Sequence, residues 1–92
     1  MNRKREPAAE LRAAASVLGE VYRAARGTVQ RWVNVQAVVD ASGFRADEVE
    51  QAVALLFRQR MLVVNGTPTD SVRLTLEAQQ LIRAADAYQR RR

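Results

Sequence analysis

The sequence predicts a single, mainly α domain with a small β-hairpin (α+β), in the order helix, short strand, helix, helix, strand, strand, helix. Three observations predict it. Apolar residues recur at helical spacing in four separate stretches, so helices carry most of the chain. Between residues 61 and 74 the pattern changes to β-forming residues around a loop containing Gly66 and Pro68. The second and third helical stretches are separated only by a brief turn after Ser42. With 92 residues, the chain has room for one domain.

The first helix is predicted over residues 7–26. Pro7 suits a first helical position, where a missing N–H costs nothing. Leu11, Ala15, Leu18, Tyr22 and Ala25 recur at helical spacing, with Ala14 and Val21 beside them, and Gly27 ends the run. Gly19 inside this helix is read as the mark of a close helix contact. Trp32 and Val33 are predicted to form a very short strand, with Trp32 packed beneath the hairpin. Asn34 then caps a helix over Val35–Ser42 that buries Val35, Val38 and Val39 and stops at Gly43.

A third helix is predicted over about 46–60. Val49, Ala52, Val53, Leu56 and Phe57 form its buried stripe, and Asp47 and Glu48 favour its positive end. Asp47, Gln51, Ala54 and Arg58 fall on its outer face, with Leu55 pointing mostly outward. Met61–Val64 and Val72–Leu74 make the two hairpin strands around the loop Asn65–Ser71. Thr75 caps a last helix whose apolar face is Leu81, Ile82, Ala85 and Tyr88.

Composition excludes several chemistries. The chain has no cysteine and no histidine, which rules out disulfides, Cys/His zinc sites and Ser–His or Cys–His nucleophiles. The four glycines are scattered, so no phosphate-cradling loop is present. Asp47, Glu48 and Glu50 fan around their helix rather than converging in an apolar pocket. No enzyme activity, metal or cofactor is therefore expected. The longest apolar run, Ala52–Phe57, is too short for a signal peptide core or a membrane span, so a cytoplasmic protein without membrane contact is expected.

The formal net charge is +5, but it is unevenly placed. Arg3, Lys4 and Arg5 lie in a basic tail (1–6), and Arg90–Arg92 form a basic end (90–92) behind the domain (7–89). Between residues 6 and 89, nine arginines face ten carboxylates, a net of −1. Such tails either bind phosphate or simply solubilise the chain, the last arginines also complementing a helix C-terminus.

The stretch Val35–Gly43 followed by Val49–Leu56, and the stretch Met61–Val64 leading to Leu74-Thr75-Leu76-Glu77-Ala78, resemble the winged-helix (winged helix-turn-helix) superfamily over roughly residues 10–89. Ala78 and Arg60 stand where that superfamily often has glycine. The resemblance implies a homodimeric DNA-binding transcriptional regulator with its third helix in the major groove of double-stranded DNA. Gln51 and Arg58 would then read bases, while Arg45, Arg73, Arg3, Lys4 and Arg5 would contact phosphates. Leu18, Tyr22, Leu81 and Tyr88 would form the dimer interface.

The residues also support a second reading. The third helix starts acidic, and Asp70 is the loop's sole charged residue. Arg73 is the hairpin's single positive charge, and Leu55 points outward. These features suit a protein-interaction module in a larger assembly, with a protein partner on the outer face of the third helix.

Overall fold

The structure, a computed structural model, describes residues 7–90. It is mainly helical with one small antiparallel sheet: α1 (Pro7–Ala24), β1 (Val33–Asn34), α2 (Val35–Ser42), α3 (Ala46–Arg58), β2 (Leu62–Asn65), β3 (Ser71–Leu74) and α4 (Leu76–Arg90). No helix among the described residues is long and apolar enough to cross a membrane.

Helix α1 stops two residues before the sequence predicts. Arg26 and Gly27 both adopt left-handed backbone angles, φ 54° and 74°, and the Gly27 N–H closes back on the Tyr22 carbonyl. The buried face of α1 is also rotated from the predicted one. Ala14, Val17, Val21 and Ala25 turn inward, while Leu11 stays 63% exposed. Leu18 joins this core at 9% exposure, so its side chain is not available for the expected dimer contact. Gly19 marks no close helix approach, because a Cβ there would meet only the Arg23 guanidinium, 3.8 Å away.

Helix α2 runs as its local signals dictate. The Asn34 side chain accepts from the Gln36 and Ala37 N–H groups at 2.8 and 3.3 Å, and Gly43 takes the left-handed C-terminal position. Helix α3 ends at Arg58 because the chain then turns left-handed at Arg60, φ 62°. The Arg60 N–H donates to the Phe57 carbonyl, and the Arg60 carbonyl accepts from Thr75 Oγ1 at 2.7 Å. Thr75 Oγ1 also accepts from the Ala78 N–H at 3.1 Å, so one hydroxyl joins the α3–β2 turn to the start of α4.

The sheet has the order β1-β3-β2, all antiparallel. Val33, Val72 and Val64 lie across one row and Leu62 and Leu74 across another, facing the core. The first strand is Val33–Asn34 rather than Trp32–Val33, because Asn34 pairs with Ser71 before it caps α2. Val17, Val21, Val49, Leu62, Val72 and Leu74 are fully buried where α1, α3 and the sheet meet. Among the described residues no polar or charged side chain is buried, so the domain is held by apolar burial.

Helix α4 is anchored at its start. Ala78 is buried, Ile82 is half-buried, and the Gln79 amide donates to the Gly27 carbonyl at 2.6 Å. Beyond that point Leu81 and Tyr88 are 54% and 68% exposed.

Candidate functional site

Two clefts flank α3. The first, of about 620 Å³, opens between α1 and α3 and is lined by Glu10, Ala13, Glu48, Gln51, Leu55 and Arg58, among others. Gln51 and Arg58 are both exposed, and the structure brings them together along this edge. Leu55 does not point mostly outward. It is half-buried, because α1 runs along its side of α3.

The second cleft, of about 420 Å³, lies between α2, α3 and the hairpin loop. Val35, Val39, Val53, Phe57 and Pro68 supply its apolar lining, and Glu50 and Asp70 supply carboxylates. Phe57 is 51% exposed rather than buried. Its direction lies about 90° from the axis of the Val49–Ala52–Val53–Leu56 stripe at 100° per residue, and among the described residues no element covers that flank of α3. That angular offset was the available signal in the sequence.

The start of α3 is electrostatically self-contained. The Arg45 N–H donates to Glu48 Oε1 at 2.9 Å, a one-sided capping box, since the arginine side chain offers no acceptor. The Arg45 guanidinium forks onto Asp47, Nε to Oδ1 at 3.1 Å and Nη2 to Oδ2 at 3.2 Å. That hydrogen-bonded partner holds the Asp47 carboxyl below the ordinary aspartate range and raises the Arg45 pKa. Arg45, expected on phosphate, is therefore already partnered, although both side chains remain exposed. On α2 the Gln36 amide donates to Asp40 Oδ1 at 3.0 Å.

Arg73 stands apart from Gln51 and Arg58. It projects from the outer face of the sheet, with its guanidinium 4.8 Å from the centroid of the Trp32 ring. Trp32 does not pack beneath the hairpin and is 43% exposed. Strand alternation carried the signal: with Val33 facing inward, its neighbour Trp32 must face outward. On α1, Arg23 forms an ion pair with Glu20. Tyr22 is half-buried against Gly27, whereas Leu81 and Tyr88 are exposed on α4. Arg3, Lys4 and Arg5 lie outside the described residues.

No protein-family model, no curated protein and no solved structure matches this chain. The face formed by α2, α3 and the hairpin loop presents Asp40, Asp47, Glu48, Glu50 and Asp70 against Arg45 and Arg58, a net of −3. The remaining described residues carry eight arginines and four carboxylates, a net of +4.

Proposed function

We propose that the chain is a winged-helix domain that acts as a protein-interaction module, docking its partner in the groove between α2, α3 and the hairpin loop. The order of elements and the short α2–α3 connection support the fold assignment. The observation that carries the functional reading is the charge of the face that would meet DNA. Double-stranded DNA presents a negative charge about every 1.7 Å of its axis. A face with five carboxylates and two guanidiniums, one of them held by Asp47, repels that surface. The same face offers exposed Phe57 beside Val39 and Pro68, an apolar anchor rimmed by Glu50 and Asp70.

A photocrosslinking residue in place of Phe57 tests this directly. It should capture one defined protein in cells, and the same residue in place of exposed Gln80 should not. A major-groove DNA reader is the second reading, favoured by Gln51 and Arg58 sharing one open edge of α3. Anisotropy with a duplex over a salt series separates the two. Binding with a slope of several phosphates that Arg58→Ala weakens would transfer the function to DNA.

The module works as a homodimer through α4. Leu81, Ala85 and Tyr88 recur at four- and three-residue steps, the spacing of a helix seam, and all three are exposed.

A further inference from the structure

We propose that the outer face of the sheet binds single-stranded nucleic acid, with a base stacked on Trp32 and the strand's phosphates held by Arg73. This surface is separate from the Phe57 groove. The strand register places Val63 and Arg73 side by side, and Trp32 comes next, directly before Val33 opposite Val72. The result is a row of aliphatic, cationic and aromatic side chains across the exposed side of three strands.

Two properties of the row select the ligand. The first is charge. Outside the α2–α3–hairpin-loop face, arginines outnumber carboxylates eight to four among the described residues. The ion pairs among the described residues are Arg23–Glu20 on α1 and Arg45–Asp47 at the start of α3, so no described carboxylate pairs with Arg73. A guanidinium laid on an indole keeps its plane while its N–H groups stay free to fork onto a phosphate. The second is shape. Among the described residues the sheet face carries no protruding helix to enter a groove, so it reaches bases only where they are already unstacked. A Trp that remains 43% exposed beside an arginine without a carboxylate partner provides the stacking platform and backbone attraction that single strands require.

Trp32 is the one tryptophan of the chain, so its emission reports on this face alone. Titration of the full chain with an oligothymidylate of about 12 nucleotides should quench that emission to saturation. By anisotropy, Trp32→Ala should weaken binding by roughly tenfold and Trp32→Phe far less, since a phenyl ring still stacks. Arg73→Ala should weaken it more than Arg73→Lys. Phe57→Asp should leave it unchanged, which keeps this surface distinguishable from the groove.

Strand binding without quenching would assign it to the basic tails and overturn the proposal. Equal affinity for a duplex of the same length, or no binding tighter than roughly 100 µM at low salt, would overturn it too. Thermal melts verify that Trp32→Ala is folded; if it is not, the quench and the Arg73 pair decide the outcome.

Discussion

Thr75→Val isolates the hydroxyl that fastens α4 to the rest of the domain. The substitution preserves side-chain shape and removes two hydrogen bonds, one donated to the Arg60 carbonyl at 2.7 Å and one accepted from the Ala78 N–H at 3.1 Å. Loss of a helix N-cap costs about 1 kcal/mol. The Arg60 bond contributes about 1 kcal/mol more. Thr75 is half-buried, so water satisfies part of what is vacated and the total stays near 2 kcal/mol. In a domain of this size each kcal/mol moves Tm by about 4–8 °C, which gives a fall of about 8–16 °C by circular dichroism. The backbone bond from the Thr75 N–H to the Met61 carbonyl is untouched by this change and serves as an internal control. Thr75→Ser keeps the hydroxyl and should recover most of the loss. The reasoning is refuted if Thr75→Val melts with the wild type, or if Thr75→Ser falls as far as Thr75→Val.

Four other perturbations follow from the same structure. Gly19→Ala should raise stability by about 0.5–1 kcal/mol in chemical denaturation, because a helical Cβ there has room. Gly66→Ala should lower it by more than Gly43→Ala, since both are left-handed but only Gly66 would bring a Cβ within 3.0 Å of a backbone oxygen, that of Pro68. Asp47 should titrate by NMR below the ordinary aspartate value of 3.8, and Arg45→Gln should move its midpoint upward. Because the folded pKa is the lower one, the pair's contribution is present above pH 3.8 and is lost as pH falls through the Asp47 midpoint. Leu81→Ser with Tyr88→Ser should leave the monomer's melting nearly unchanged while reducing the sedimentation-derived mass from dimer to monomer. A wild type that already sediments as a monomer would remove the dimer assignment.

The parts of the fold legible in the sequence are those fixed within a few residues. Asn34 and Gly43 bracket α2 at its observed ends because a cap and a left-handed stop are local devices. The hairpin is legible because β-forming residues and turn residues alternate in blocks. What the sequence left open is which neighbour each helix face meets. Leu55 and Phe57 both lie off the α3 stripe, and α1 covers the first while no described element covers the second. The first helix offered two adjacent apolar stripes, and packing against α3 and the sheet chose the one with Ala14, Val17 and Val21.

The two candidate surfaces follow the same division. Gln51 and Arg58 were legible from helical phase alone. The Trp32–Arg73 stack joins residues 41 positions apart in sequence, which only the β1–β3 pairing brings together. Arg60 is a middle case. The resemblance expects glycine there, and the arginine accepts a left-handed backbone because its N–H and carbonyl are both engaged.

Asn34 is at once the last residue of β1 and the cap of α2, so no linker separates sheet from helix. The Val35 N–H extends that continuity by donating to the Asp70 carbonyl at the base of the hairpin loop. A segment without slack cannot absorb an inserted residue, since one extra position would turn either the strand register or the helix phase. The wall of the Phe57 groove formed by α2 thus moves only when the sheet moves, and a partner seated there would be felt at the strands.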